Sequence, residues 1–160
     1  LASLLAPNQR VVDDNLFDGE GGDLRYKMWL DKNVTIEGGD YKEMMKYQTT
    51  SADSLYAQLI PMLRVSEAFY IAAECEGEVG NKWLNKVRNA RSLRNSSWYY
   101  FESTLETEYS REFWGEGQLF FFYKRKNAEE IPSAYEPYES ISMQPADYVL
   151  LIPEDESKYN

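Results

Sequence analysis

The sequence contains no histidine and a single cysteine, Cys75. Without imidazole the chain alone cannot form a Ser-His-Asp or Cys-His catalytic group, and one thiol permits neither an internal disulfide nor a cysteine-rich zinc site. No apolar run approaches the roughly 20 residues that a transmembrane helix needs. Basic residues are also few, since 17 Lys and Arg stand against 27 Asp and Glu, for a net charge of −10. This charge argues against a nucleic-acid partner.

Aromatic residues, in contrast, are abundant at 15% of the 160 residues. The hydrophobic fraction of 43% and the charged fraction of 28% are typical of a globular chain and exclude wholesale disorder. The N-terminal stretch 1–54 holds five of the nine glycines and shows only weak periodicity, so no firm secondary structure is predicted there. Because the chain opens with Leu1 and has no basic leader, we expect it to be an interior piece of a longer protein.

The first predicted helix spans residues 61–76. Pro61 suits a first helical turn, and apolar residues on two faces predict burial on both sides, with Cys75 inside. Gly77 and Gly80 can supply the left-handed stop. The main apolar face comprises Met62, Val65, Phe69, Ala72 and Ala73, with Leu63, Tyr70 and Ile71 on the second face.

Two further helices are predicted. The second spans 81–93 with Asn81 as its N-cap, and the link 77–80 is short enough to indicate a tight helical hairpin. Its inner stripe comprises Trp83, Leu84, Val87 and Ala90. The third begins near Ser103, where Ser103 and Glu106 fit a capping box. Its inner face comprises Leu105, Tyr109 and Phe113.

Glu108, Glu112 and Glu116 share one stripe of the third helix. Paired carboxylates are the chemistry of glycoside hydrolases and of divalent-metal sites. The structural interpretation is favoured, in which the stripe is solvated or pairs with Arg111 and the cations of the second helix. The basic stretch 82–94 could bind phosphate, but pairing with the acidic third helix is again favoured.

The aromatics suggest a binding site for sugars, whose flat C–H faces stack on Trp or Tyr while polar side chains bind the hydroxyls. Trp98, Tyr99 and Tyr100 follow Asn95, Ser96 and Ser97, and Trp29 and Tyr41 lie in the glycine-rich N-terminal part. Packing between helices is the favoured role even for residues 98–100. The candidate ligand-binding residues are Trp29, Tyr41, Trp98 and Tyr99, whereas Trp83, Trp114 and Phe120–Phe122 are assigned to packing.

Six segments resemble, in order, the recurring motifs of SusD/RagB-like proteins. They are DLR at 23–25, the helix at 60–75, LNKVRNAR at 84–91, EYSREFWGEGQ at 108–118, LFFFYKR at 119–125 and VLLIPEDE at 149–156. The resemblance therefore covers roughly residues 23–156. It implies that the recurring residues are scaffold, with Arg64, Glu67, Arg88, Glu112 and Glu116 forming buried or half-buried ion pairs that fix helix packing.

The resemblance also implies a fold and a function. The fold is expected to be mainly α, with a tetratricopeptide-like helical hairpin plus a further helix and long irregular loops. Such proteins are surface-exposed outer-membrane lipoproteins that bind glycans or other nutrients and pass them to a SusC-like TonB-dependent transporter. They are binding proteins, not enzymes, and no cofactor or metal is implied. Attachment to the membrane would be only through a lipid anchor outside this chain.

The whole chain, 1–160, is accordingly expected to be the C-terminal region of such a protein. It divides into an irregular turn-rich segment at 1–58, a helical scaffold at 59–127 and an irregular C-terminal segment at 128–160. Two alternatives stay open: a glycoside hydrolase using Glu108 or Glu112, and a helical-repeat module that binds other proteins.

Overall fold

The computed structural model describes residues 7–36, 39–46 and 63–150. The α-helices in these ranges are α1 (Val65–Cys75), α2 (Asn81–Ala90), α3 (Phe101–Phe113) and α4 (Gln118–Lys126). Two antiparallel hairpins are formed by β1 (Trp29–Ile36) with β2 (Gly39–Met44), and by β3 (Glu130–Pro132) with β4 (Ser140–Ser142). Short 3-10 turns lie at Tyr26–Met28, Gly77–Gly80, Trp98–Tyr100 and Pro145–Tyr148, and a π-helical turn lies at Val11–Leu16. The predicted mainly α fold class is confirmed.

The helices α1 and α2 form the predicted tight hairpin. Gly77 ends α1 with a φ of +61°, and the 3-10 turn that it opens runs directly into α2. Phe69 stacks on Trp83 at 5.6 Å between ring centroids, and Gly80 lies against the backbone of Ala73. These pairings show that α2 runs back antiparallel along α1.

The burial predicted for α1 is wrong on one side. Tyr70 and Ala73 are fully buried, but Val65 is 72% exposed and Ile71 is 48% exposed. Cys75 is exposed too, rather than inside the helix packing. The reason is that α2 and α3 pack on the Tyr70 side of α1. The predictions for Pro61 and Met62 lie outside the described residues.

The predicted caps of α2 and α3 are also wrong. Asn81 is the first residue of α2, and Gly80 occupies the N-cap with a helical φ of −67°, because the preceding turn is already helical. The helix α3 starts at Phe101, two residues before the expected Ser103, because the turn at Trp98–Tyr100 leads into it. Ser103 therefore lies inside the helix and donates its hydroxyl to the carbonyl of Tyr100.

The segments expected to be irregular contain the two hairpins. In the first, Trp29 pairs with Met44 and Ile36 pairs with Gly39, with a register shift between Lys32 and Thr35. In the second, Ile131 pairs with Ile141. Three-residue strands and a strand with a shifted register give too little alternation for a sequence pattern to reveal them.

The hydrophobic core has two parts, and α3 packs along the larger one. Leu105, Tyr109 and Phe113 are buried there as predicted, together with residues of α1, α2 and α4. The smaller cluster comprises Val12, Leu16, Phe17 and Trp29. Gly115 and Gly117 both adopt positive φ angles and separate α3 from α4. On α4, Phe122 is buried but Phe121 is 62% exposed, which corrects its assignment to packing.

None of the described helices combines the length and the apolar character that crossing a membrane requires.

Candidate functional site

A second face of α3 buries charge instead of apolar side chains. Glu108, Arg111 and Glu112 are 0%, 6% and 1% exposed, and all three have charged partners. The ion pairs extend to the N-terminal segment, to α1 and to α2. We call this set the buried ion-pair network; its members are Glu20, Asp23, Arg25, Lys46, Arg64, Arg88, Arg91, Glu108, Arg111, Glu112 and Glu116.

Glu108 is the centre of one half of this network. Its carboxylate accepts hydrogen bonds from Arg25 at 2.8 Å, Arg88 at 2.8 Å and Arg111 at 3.2 Å. The hydroxyl of Tyr70 donates to the same carboxylate at 3.2 Å. Burial raises the pKa of Tyr70 well above its usual range, and so does the charge of Glu108, so the phenol stays protonated and donates. Four donors on one buried carboxylate tie α3 to α1, to α2 and to the N-terminal segment.

Glu112 is the centre of the other half. Arg91 donates to both of its oxygens, at 2.8 and 3.2 Å, and Arg64 and Arg25 donate at 3.2 and 3.3 Å. Ser66 completes the set at 3.0 Å. One turn later, Glu116 pairs with Lys46 and Arg64. The carboxylate stripe of α3 is therefore a set of buried ion partners, and the alternative of a solvated stripe is wrong.

The structure thus places Arg64, Arg88, Glu112 and Glu116 of the predicted scaffold residues in one network. Glu67 is not a member, since within the part of the chain that the structure describes its carboxylate makes no ion pair. Glu20, Asp23 and Arg25 of the N-terminal segment are members as well, although they are not among the predicted ion-pair residues. Asp23 and Arg25 belong to the short DLR motif, so the motif resemblance could have indicated them as scaffold residues.

This arrangement does not suit acid catalysis. A glycosidase needs one carboxyl group whose raised pKa lets it protonate the leaving oxygen. Burial acts to raise the pKa of Glu112, but the hydrogen bonds and charge of Arg91, the charge of Arg25 and the hydrogen bond of Ser66 lower it to about 2. Glu108 is fully buried and therefore out of reach of a glycosidic bond. The geometry consequently argues against the hydrolase hypothesis.

The lowered pKa of Glu112 predicts a loss of stability in acid. The carboxyl titrates near its ordinary value of 4.5 in the unfolded chain and near 2 in the folded chain. The ionised Glu112 carboxylate therefore stabilises the folded state fully at a pH above 4.5. This stabilisation is lost as the pH falls from 4.5 to about 2 and the carboxylate becomes protonated. A carbon-13 NMR titration of the full chain should give a Glu112 midpoint well below 4.5. A midpoint at or above that value would contradict the geometry.

The turn between α2 and α3 presents three aromatic rings to solvent. Tyr99 is 84% exposed, Tyr100 is 60% exposed and Trp98 is 38% exposed. We call these three residues the aromatic platform. They border an open depression of about 360 Å³ together with Phe101, Glu102 and Ser103. The role in helix packing that the sequence favoured for them is wrong for Tyr99 and Tyr100, because their rings lie outside the core.

Hydrogen bonds from α2 hold the backbone that leads into the platform. The side-chain amides of Asn81 and Asn85 on α2 both donate to the carbonyl of Ser96, at 3.0 and 3.1 Å. The backbone N–H of Ser96 donates back to Asn85 at 2.7 Å. Ser97 caps the turn by accepting from the N–H of Tyr99 at 3.3 Å. The backbone of the turn is therefore held before a ligand arrives, which lowers the entropy cost of binding.

The rings themselves are also packed in pairs. Tyr99 and Tyr100 meet edge to face with centroids 4.8 Å apart, and Trp98 leans on Phe101 at 4.5 Å. Because Phe101 is buried in the core at the start of α3, this contact fixes Trp98 relative to the helix. Exposed ring surface beside serine hydroxyls is the combination that a sugar requires.

The other two ligand-binding candidates lie elsewhere. Trp29 is buried in the smaller core cluster, where its ring packs edge-on against Trp114 at 5.8 Å. Tyr41 is half-buried in β2 and pairs with Lys32 of β1. The structure does not bring either residue into the platform, so the four candidates do not form one site. Among the described residues, no group of His, Cys, Asp or Glu side chains is arranged to hold a metal ion.

Comparison with known proteins identifies the family. The model of the SusD family matches residues 20–144, most of the chain, and the chain therefore belongs to that family. The matched range contains the network members from Glu20 to Glu116 and the aromatic platform. SusD-family proteins are generally nutrient-binding lipoproteins of the outer-membrane surface rather than enzymes. No curated protein and no solved structure matches the chain.

Proposed function

We propose that this chain belongs to a glycan-binding protein in which the aromatic platform stacks on sugar rings. The observation that carries the proposal is the exposure of Trp98, Tyr99 and Tyr100 on a turn that hydrogen bonds hold rigid. An exposed aromatic cluster is costly in water, so its presence on a member of a nutrient-binding family favours a ligand contact over packing.

The charge of the molecule supports a neutral ligand at this position. The net charge of −10 repels polyanions, whereas stacking on a ring needs no cation. Glu102 and Ser103 border the same depression and can accept or donate hydrogen bonds to sugar hydroxyls. These features together favour a neutral glycan.

The remaining parts of the proposal come from the family and from motif resemblance. We propose that the protein works at the outer-membrane surface through a lipid anchor and delivers its ligand to a SusC-like TonB-dependent transporter. The chain would contribute the C-terminal region, 1–160, with the tetratricopeptide-like hairpin of α1 and α2 as scaffold. In this account the buried ion-pair network fixes the helices, and the platform between α2 and α3 contacts the ligand.

Isothermal titration of the full chain against a panel of neutral glycans tests the platform. For a glycan that binds, Tyr99→Ala should weaken the affinity by about 1–2 kcal/mol, roughly 5- to 30-fold, because one stacking face is removed. Tyr99→Phe should bind nearly as well, because it retains the ring. Phe121→Ala is the matched control, since Phe121 is also largely exposed but lies on α4.

Two results would argue against the proposal. One is an unchanged affinity in the Tyr99→Ala variant, which would place the ligand elsewhere. The other is an equal loss in the Phe121→Ala variant, which would show a general effect of removing surface aromatics. Retention of the transporter in a pull-down without any glycan binding would favour the protein-interaction alternative.

A further inference from the structure

A second cavity lies beside the buried ion-pair network and has a different chemical character from the platform. Its volume is about 250 Å³. The apolar side chains in its described wall are Leu24, Met28, Trp29 and Met44. Leu24 and Met28 are about 40% exposed, which places them at the rim, whereas Trp29 is buried. This apolar part of the wall suits an apolar group or an aromatic ring.

The rest of the described wall is cationic. Five positively charged side chains contribute to it, namely Arg25, Lys46, Arg64, Arg91 and Arg111. Of the carboxylates in the network, Glu112 alone reaches the part of the wall that the structure describes. The other carboxylates pair with these cations from outside that part of the wall. Because these cations are paired, what the wall offers a ligand is the N–H groups that the ion pairs leave unused.

Two of these arginines have N–H groups that the network does not use. Arg91 donates from Nε and Nη2 to Glu112, which takes two of the five N–H bonds of a guanidinium. Its side chain is 32% exposed, so solvent reaches it. Arg111 donates from Nε to Leu16 and from Nη1 to Glu20 and Glu108, whereas Nη2 makes no hydrogen bond among the described contacts. The side chain of Arg111 is only 5% exposed.

We propose that this cavity is a binding site for a small organic acid. The carboxylate of the ligand would accept hydrogen bonds from the unused N–H groups of Arg91 and Arg111. Its apolar body would pack against Trp29 and Met44, inside the rim that Leu24 and Met28 form. Charge-assisted hydrogen bonds on one side and apolar burial on the other give both orientation and affinity. The site stands apart from the aromatic platform, so the proposal does not depend on neutral glycan binding there.

Benzoate and glucuronate are suitable probes, because they separate a free organic acid from the acid group of a sugar. Each is titrated into the full chain by NMR, beside its neutral counterpart, benzamide or glucose. We expect at least one of the acids to shift the resonances of Met28 and Arg91, and its neutral counterpart to bind at least about tenfold more weakly. Binding of the acid should also weaken with ionic strength.

The matched pair Met28→Glu and Met28→Gln tests the position of the site. A glutamate at the rim places a competing carboxylate near Arg91, so acid binding should fall at least about tenfold. The glutamine variant has the same size without the charge and should keep most of the affinity. Met28 is 40% exposed and lies outside the ion-pair network, so both variants should fold, which thermal unfolding verifies.

Three outcomes would overturn the proposal. The first is that neither acid binds at tens of millimolar. The second is that the neutral counterparts bind as well as the acids. The third is that the Met28→Glu and Met28→Gln variants bind the acid equally well. Loss of glycan binding in platform variants would not affect any of these results.

Discussion

Replacement of Glu108 by glutamine should destabilise the full chain by about 3–5 kcal/mol, measured as the free energy of unfolding in urea. The variant retains the size of the side chain but removes the charge that three arginines share. Arg25, Arg88 and Arg111 would then be left buried with less compensating charge. The amide NH2 of glutamine would also face donors at one of the two oxygen positions, where it cannot accept their hydrogen bonds. A buried cation without its partner is far more costly than a broken surface ion pair.

Glu102→Gln is the control on the same helix. Glu102 is exposed and pairs with Lys126 at 2.7 Å on the surface, so its replacement should cost less than about 1 kcal/mol. Equal effects of the two substitutions would show that the network around Glu108 contributes no more than an exposed ion pair does.

Replacement of Gly80 by alanine should cost about 3 kcal/mol by forcing α1 and α2 apart. A Cβ atom at this position would lie 2.2 Å from the carbonyl oxygen of Ala73. The obstructing atom belongs to the backbone, so no side-chain rotation relieves the clash. The close approach of the two helices therefore requires glycine here for its small size, since the φ of Gly80 is an ordinary −67°.

Gly22→Ala is the matched control for this substitution. A Cβ at Gly22 would meet no atom within 4 Å. Its replacement by alanine should leave the free energy of unfolding nearly unchanged or raise it slightly. A destabilisation as large at Gly22 as at Gly80 would remove the steric explanation.

Helical periodicity predicted the main features of the scaffold. Leu105, Tyr109 and Phe113 are buried as expected, and the four-residue link does produce a hairpin. In the predicted stripe of α2, Leu84 and Val87 are buried and Trp83 is half-buried, but Ala90 at the end of the helix is exposed. These features depend on local spacing, which a single sequence contains. The exposed side of α1 could not be recognised in this way. Apolar residues recur at helical spacing on that side just as they do on the buried side, so the pattern does not distinguish the two.

The ion-pair network was only partly predictable. The stripe of Glu108, Glu112 and Glu116 was visible, and the cations of α2 were suitable partners. Its burial was not visible, because the covering residues, such as Arg25 and Lys46, come from a glycine-rich segment more than 60 residues away. Long-range pairing of this kind depends on the tertiary fold and leaves no periodic signal.

For the aromatic platform the sequence favoured burial, and the structure shows exposure. Trp98, Tyr99 and Tyr100 have the composition of a core segment, and packing was the favoured role. Whether an aromatic run faces the core or solvent depends on how the turn is held, and here Asn81 and Asn85 hold it at the surface. Asn81, which the sequence assigned as an N-cap, and Asn85 therefore act on the turn that carries the candidate site.

The affinity of the full chain for a bound neutral glycan, before and after joint replacement of Tyr99 and Tyr100 by alanine, tests the central claim most directly. The claim predicts that binding is lost while the free energy of unfolding stays within about 1 kcal/mol, since both side chains are largely exposed. Undiminished binding by a folded double variant would contradict it.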